Sequence, residues 1–133
     1  MSKSITDKED SMKKKKVYVA GKLSHDDPCG YIQNCHKMIK VAKVLRDNKY
    51  CVYVPCNDFL EGIVSGDFKY EDYFENSQPW LMISDAVFLV PGWETSPGTK
   101  REMELADSLN IPIFSDIEAM NEFFSKVKQP TLF

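Results

Sequence analysis

The stretch Ala86-Val87-Phe88-Leu89-Val90 decides the fold. It is an uninterrupted apolar run of strand length, and such runs are typical of a central parallel strand whose two faces are both covered by helices. The run leads into Pro91-Gly92-Trp93-Glu94-Thr95-Ser96, which combines turn-forming and polar residues. We therefore predict a buried central strand with a loop at its carboxyl end.

Three further segments have the composition of strands. Val17-Tyr18-Val19-Ala20 is short, β-prone and closed by Gly21. Residues 50–54 are similar and end at Pro55, which cannot donate to a sheet ladder. Residues 111–114 supply the last strand of the series.

Helical periodicity separates these strands. Apolar positions recur at helical spacing in residues 35–48 and 100–109, and a helix over 75–83 accommodates Pro79 in its first turn. Residues 116–127 form a terminal helix capped by Ser115 or Asp116. Residues 57–73 show no firm period, which indicates a long loop with a short helix.

The resulting order βαβαβαβα predicts an α/β fold, a three-layer doubly wound (Rossmann/flavodoxin-like) and mostly parallel sheet of four to five strands. Residues 17–133 form a single domain, and residues 1–16 form a flexible polar and basic tail. Ligands of such sheets bind at the carboxyl ends of the strands, beside the switch point of the topology. The loops after residues 20 and 90 are therefore the expected site.

The charge and hydropathy of the chain exclude several classes of protein. The 133 residues include 17 Lys and Arg against 20 Asp and Glu, so the formal net charge is -3, which is unfavourable for general nucleic-acid binding. No segment reaches the roughly 20 apolar residues of a membrane span. The head lacks the apolar segment of a secretory signal. We expect a cytoplasmic protein with no membrane or general nucleic-acid partner.

The cysteines and histidines do not indicate a metal site. His25, Cys29, Cys35 and His36 have a spacing that fits no standard zinc site. The four cysteines form no C-x-x-C pair, and an intracellular chain keeps such thiols reduced. We expect neither a metal nor a cofactor.

The segment Ser96-Pro97-Gly98-Thr99-Lys100-Arg101-Glu102 combines small and hydroxyl residues with the start of a helix. The free N–H groups of a helix start can hold an anion such as phosphate. Glu102 is placed on the first turn or just beyond it, where its side chain leans back towards the strand ends. A helix capped by Ser or Thr, with Glu compensating the dipole, is the alternative interpretation.

A family resemblance adds to these observations. Three parts of the chain together resemble the nucleoside 2-deoxyribosyltransferase-like superfamily. They are Tyr18-Val19-Ala20-Gly21, Ser84 to Val90, and Ser96-x-Gly98-Thr99-x-x-Glu102-x-x-x-Ala106. The piece Pro91-Gly92-Trp93-Glu94-x-Ser96 is similar to a branch of small bacterial and phage members, related to 2′-deoxynucleoside 5′-phosphate N-hydrolases. The similarity runs from about residue 17 to residue 114.

The resemblance implies cleavage of an N-glycosidic bond, with Glu102 as the nucleophile and a covalent sugar-enzyme intermediate. Tyr18 would orient the glutamate or the sugar. Ser96, with Gly98 and Thr99, would hold a 5′-phosphate. The residues implied to line the pocket are Gly21, Lys22, Leu23 and Ser24.

One position departs from the family pattern. Where many members carry an aspartate that handles the base, this chain has Ser77. Either Asp72 or Glu75 replaces that aspartate, or the leaving base is activated otherwise, or catalysis has been lost. We therefore predict Asp72 as a catalytic candidate and Ser77 as a candidate substrate contact.

Aromatic residues are dense in the same part of the chain. Trp93 is a candidate pocket wall in the loop after the central strand, whereas core packing is expected for Trp80. Residues 59–73 are a candidate lid. The apolar surface of residues 59–80 indicates a homodimer or a higher homo-oligomer.

Together these interpretations predict an N-glycosidase acting on 2′-deoxynucleoside 5′-monophosphates. Deoxyribosyl transfer between bases is the alternative enzyme activity. A non-catalytic module binding nucleotides or ADP-ribose-type ligands is the alternative from a different class, and Ser77 is the observation that keeps it open.

Overall fold

Four parallel strands form the sheet in the computed structural model, which describes residues 13–126. The strands are β1 (Lys16–Ala20), β2 (Cys51–Tyr53), β3 (Ala86–Leu89) and β4 (Ile113–Phe114). Their order across the sheet is β2-β1-β3-β4, and all three pairings are parallel. The predicted central strand is β3, which lies inside the sheet with every residue buried.

Five α-helices in the described residues connect or follow these strands. They are α1 (Pro28–Asp47), α2 (Asn57–Ser65), α3 (Tyr70–Met82), α4 (Pro97–Ser108) and α5 (Ile117–Lys126), with a 3₁₀ turn at Trp93–Thr95. None of the helices in residues 13–126 combines the length and the apolar character needed to cross a bilayer.

Side chains alternate between two cores because successive residues of a strand point to opposite faces. Val17 and Val19 pack with Met38 and Ala42 of α1 and with Met120 of α5. The other face is built the same way: Tyr18 and Ala20 pack with Leu81 of α3 and Ala106 of α4. Helices therefore cover both faces of the sheet, and the predicted three-layer doubly wound fold is confirmed.

The topology changes direction between β1 and β3. From β1 the chain continues to β2 on one side, and from β3 it continues to β4 on the other. A crevice opens at the carboxyl ends of two strands where connections diverge in this way. This geometry places the loops after Ala20 and Leu89 at the mouth of the same crevice.

Two glycines shape this edge of the sheet. A Cβ at Gly21 would lie 2.6 Å from the Cβ of Val90, so the loop after β1 can approach the end of β3 only without a side chain. Gly92 has a φ of 95°, in the left-handed region that favours glycine. It turns the chain from β3 towards α4.

Helix α1 begins earlier than its periodicity predicts. The predicted start is residue 35, but the helix starts at Pro28. The Asp27 carboxylate accepts from the N–H groups of Cys29 at 2.6 Å and Gly30 at 3.2 Å, and Pro28 occupies the first turn. This cap and the preset φ of proline start the helix where no apolar period exists.

The expectation of a long loop with a short helix over residues 57–73 is correct for the short helix, α2, and wrong for the length of the loop. Gly66, with a φ of 77°, terminates α2, and α3 already starts at Tyr70. Pro79 consequently lies inside α3, not in its first turn. A proline there cannot donate the usual backbone hydrogen bond to the preceding turn.

The remaining boundaries shift by a few residues. β1 begins at Lys16, which pairs with Cys51, so the predicted tail is one residue too long. Residues 1–12 of that tail lie outside the described part of the chain, as does the predicted helix end at residue 127. Asp116 caps α5 by accepting from the Ala119 N–H at 3.1 Å, as one of the two predicted caps.

Candidate active site

A cavity of about 550 Å³ lies at the carboxyl ends of β1 and β3. The loop after β1 and the start of α4 form one side, and α2 and α3 form the other. Its lining residues are Tyr18, Val19, Gly21, Lys22, Leu23, Ser24, Tyr31, Met38, Pro55, Asp58, Tyr70, Tyr73, Phe74, Ser77, Thr95, Ser96, Pro97, Gly98, Thr99 and Glu102. A volume of this size accommodates a small organic ligand.

A glutamate and a tyrosine form the polar centre of this cavity. Glu102 lies in the second turn of α4, and Tyr18 lies on β1 with its side chain fully buried. The Tyr18 hydroxyl donates a short hydrogen bond to Glu102 Oε2. The two residues are 84 positions apart in sequence, so the sheet edge brings them together.

The surroundings of this pair shift the titration of both groups. Burial raises the pKa of the Glu102 carboxyl to about 7, and the hydrogen bond from Tyr18 opposes part of that rise. Burial and the nearby Glu102 carboxylate raise the pKa of Tyr18 well above its ordinary value. Tyr18 therefore stays a hydrogen-bond donor at neutral pH, while Glu102 is divided between its two protonation states.

Ser77 lies on the buried face of α3, within hydrogen-bond reach of the Tyr18 phenol. That hydrogen bond lowers the pKa of Tyr18, against the larger raising effect of burial. The Ser77 hydroxyl donates to the Phe74 carbonyl at 3.4 Å. Ser77 therefore lines the cavity beside the glutamate, but it brings no carboxylate.

The start of α4 forms a second polar wall. Ser96 caps the helix, because its Oγ accepts from the Thr99 N–H at 3.2 Å and from the Thr99 hydroxyl at 3.0 Å. Both side chains are buried. The helix-cap interpretation of this segment is therefore realised, and the Ser96 hydroxyl keeps its own proton for donation into the cavity.

The loop after β1 closes the cavity from another side. Gly21, Lys22, Leu23 and Ser24 all line it, and the Asn34 amide holds the loop by donating to the Leu23 carbonyl at 3.1 Å. Lys22 is one of these lining residues, so a cationic side chain contributes to the cavity.

Two predicted site residues lie outside the cavity lining. Asp72 accepts from the Lys69 N–H at 2.7 Å and so caps α3, where it is exposed. Trp93 lies in the 3₁₀ turn and packs against the core that contains Tyr18. Their expected placement in the pocket is therefore wrong.

The prediction that Trp80 packs in the core is also wrong. Its side chain is 49% exposed, and its ring stacks on Tyr53 with centroids 5.6 Å apart. Glu75, the other acid considered as a replacement for the family aspartate, is exposed and outside the cavity lining.

The structure adds lining residues that the sequence did not single out as site residues. Asp58 and Phe74 were not assigned any role, whereas Tyr31, Tyr70 and Tyr73 belong to the aromatic-rich part of the sequence. Aromatic density was the available signal for the tyrosines. Nothing in the sequence distinguishes Asp58 from the other acids of that segment.

The part of the chain from residue 13 to residue 126 contains no group of three or more His, Cys, Asp or Glu arranged to hold a metal ion. The exposed His25 accepts from the Asp27 N–H at 3.0 Å through its Nδ1 atom. It therefore takes part in the turn that precedes α1.

Comparison with solved structures identifies a protein of the same fold. A 2-deoxyribosyltransferase from the psychrotolerant bacterium Bacillus psychrosaccharolyticus superposes with a TM-score of 0.58 at 21% sequence identity. The match covers 79% of this chain and 78% of that enzyme. At this identity the likeness establishes a shared α/β architecture.

Comparison with sequences gives a family assignment. No curated protein matches the chain significantly. The family model described as "Domain of unknown function (DUF4406)" matches residues 15–115, which include every residue that lines the cavity. Because this match covers most of the chain, the protein belongs to the DUF4406 family.

Proposed function

We propose that this protein cleaves the N-glycosidic bond of 2′-deoxynucleoside 5′-monophosphates, with Glu102 as the nucleophile. The observation that carries the proposal is the hydrogen-bonded pair of Tyr18 and Glu102 at the centre of the cavity. The 2-deoxyribosyltransferase of the same fold supports nucleoside chemistry at this edge of the sheet.

The mechanism has two steps. The Glu102 carboxylate attacks the anomeric carbon of the sugar as the bond to the base breaks, which gives a covalent sugar-enzyme intermediate. Water then attacks the same carbon and releases the sugar and the carboxylate. Tyr18 holds Glu102 in place, because its hydroxyl is fixed by burial and donates directly to the reacting carboxylate.

The proposed preference for monophosphates is based on the part of the cavity where α4 begins. Ser96, Gly98 and Thr99 lie where α4 begins, and Lys22 lines the same cavity. Helix N-termini favour anions, and an ammonium group adds to that preference. A 5′-phosphate is the anion that a deoxynucleotide would bring there.

Release of free base from a panel of deoxynucleoside 5′-monophosphates tests the proposal. The wild-type protein should release base from at least one of them, and Glu102→Ala should release none. If no base appears from any substrate, the proposed activity is wrong.

Base exchange is the alternative enzyme reaction. It uses the same glutamate and intermediate but a second base in place of water. Adding a second base to the assay distinguishes the two, because a transferase forms a new nucleoside or nucleotide faster than it releases sugar.

A non-catalytic nucleotide-binding or ADP-ribose-binding module is favoured by one observation. Ser77 lies beside Tyr18, where many relatives carry an aspartate that handles the base. Calorimetry separates this class from the enzymes: a binding module would show affinity without turnover, and that affinity would survive Glu102→Gln.

A further inference from the structure

Two acid–tyrosine pairs lie side by side, and the acid of each pair lines the cavity. Tyr18 of β1 and Tyr53 of β2 are register partners on adjacent parallel strands. Their rings stack with centroids 5.5 Å apart and an interplanar angle of 18°. The Tyr18 hydroxyl donates to Glu102, and the Tyr53 hydroxyl donates to Asp58 Oδ2 at 2.8 Å. The stacked rings therefore hold both carboxylates at the same edge of the sheet.

Asp58 and Glu102 are the two carboxylates among the described residues that line the cavity. Asp72, at the start of α3, is committed elsewhere, because it accepts from the Lys69 N–H at 2.7 Å and so caps that helix. A carboxyl group has more hydrogen-bonding positions than the one that Tyr53 occupies, so Asp58 is still able to contact a ligand.

The phenols around Asp58 set its orientation. Tyr53 is held from a second side by the Asn76 amide, which donates to its hydroxyl at 3.5 Å. Asp58 also lies close enough to Tyr31 and Tyr73 that its charge raises the pKa of both phenols, in addition to burial. Aromatic rings and one carboxylate on the same wall suit the planar, hydrogen-bonding base of a nucleotide.

We propose that Asp58 is the second catalytic carboxylate, which exchanges a proton with the leaving base. The inference rests on the proposed function, since it concerns the same bond cleavage. Glycoside cleavage with retention uses a nucleophile and an acid/base carboxyl group roughly 5–5.5 Å apart. The two phenols that donate to Glu102 and Asp58 have ring centroids 5.5 Å apart, which places their carboxyl partners side by side.

The proton balance of the two steps is as follows. Glu102 forms its bond to the anomeric carbon as the bond from that carbon to the base nitrogen breaks, and the carboxylic proton of Asp58 passes to the base. In the second step Asp58 takes a proton from water while the water oxygen bonds to the anomeric carbon. The bond to Glu102 breaks, and both carboxyl groups return to their starting states.

A substrate that needs no proton provides the test. The base of 7-methyl-2′-deoxyguanosine 5′-monophosphate is already cationic and leaves as a neutral molecule. The experiment measures base release in the first turnover from this compound and from the unmodified nucleotide. Asp58→Asn should slow release from the unmodified nucleotide by about 10²–10⁴-fold and leave release from the methylated one nearly unchanged.

Two further variants complete the experiment. Glu61→Gln removes an exposed charge three residues further along α2, outside the cavity, and should keep both rates. Glu102→Gln should lose both. Thermal unfolding of each variant checks that it folds.

The outcomes separate this inference from the proposed function. If the wild type releases base but Asp58→Asn slows both substrates equally, or neither, Asp58 is not the proton donor and the proposed function stands. If the wild type releases no base from either substrate, both are wrong.

Discussion

The proposed role of Glu102 depends on its position in the fold as well as on its chemical type. It lies one turn beyond the cap of α4, and its carboxyl faces the buried Tyr18 instead of solvent. Burial favours the neutral acid, and the phenol favours the carboxylate. The balance leaves a pKa of about 7 for the Glu102 carboxyl, close to neutral pH.

This pKa predicts the pH dependence of the reaction. Glu102 must be ionised to attack, and the ionised fraction grows as pH rises through about 7. The rate of base release at low substrate concentration should therefore rise with pH below 7, by about tenfold per pH unit well below it. A rate that is already maximal at pH 5 would show that Glu102 is not the group that limits attack.

One substitution separates the cap that Ser96 forms from its proposed role in holding phosphate. Ser96→Ala should lower the free energy of unfolding by about 1 kcal/mol, because the Thr99 N–H loses its cap. If Ser96 also holds phosphate, the preference for a monophosphate over its nucleoside should fall roughly ten- to a hundredfold, as a lost charge-assisted hydrogen bond implies.

Base release from both substrates, measured beside thermal unfolding, distinguishes the two roles. A lower melting temperature with an unchanged substrate ratio would mean that Ser96 is only a cap. The preference for nucleotides would then lose its main support.

At the scale of elements, what the sequence could predict depended on local signals. The apolar run of β3 and the Ser96 cap are both local, and both were recognisable. Helix α2 was not, because it spans nine residues, contains Gly62, and its apolar period over residues 59–64 lasts less than two turns.

The same distinction applies to the candidate site, where only the residues with a local sequence signal were predictable. Glu102 and Tyr18 were found from a motif, and the loop after β1 was found from its position in the topology. Asp58 was not, because its significance comes from Tyr53, and Tyr53 matters only through its pairing with Tyr18 across two strands. Such a relation is tertiary and leaves no trace in residue spacing.

The close approach of two strand ends gives a prediction at this scale. Gly21→Ala would place a Cβ 2.6 Å from that of Val90, so β1 and β3 must separate at the mouth of the cavity. We expect a loss of about 1–3 kcal/mol in stability, as for other overpacked positions. Urea unfolding measures it, and an unchanged midpoint would show that the loop is free to shift.

At the scale of the whole molecule, α2 presents three neighbouring apolar side chains to solvent. Leu60, Ile63 and Val64 of α2 are 68%, 58% and 81% exposed. Patches of this kind on small proteins tend to mark interfaces, and we propose a homo-oligomer that covers α2. Because α2 also carries Asp58, such an interface would lie beside the cavity.

Light scattering at micromolar concentration tests this assembly. The mass should exceed that of the 15.3 kDa chain, and Val64→Glu should reduce it, because a charge in an apolar interface is costly. A monomeric mass for the wild-type protein would contradict the proposed oligomer without affecting the chemistry of the site.

The central claim is that Glu102 bonds to the sugar. A 2′-deoxy-2′-fluoroarabinonucleoside 5′-monophosphate tests it directly, because the electron-withdrawing fluorine destabilises the oxocarbenium-like transition state and slows release of the covalent intermediate. After base release, mass spectrometry of the digested protein should find the fluorinated sugar phosphate on the peptide that contains Glu102. Base release with no adduct on that peptide, or an adduct on a different residue, would contradict the account.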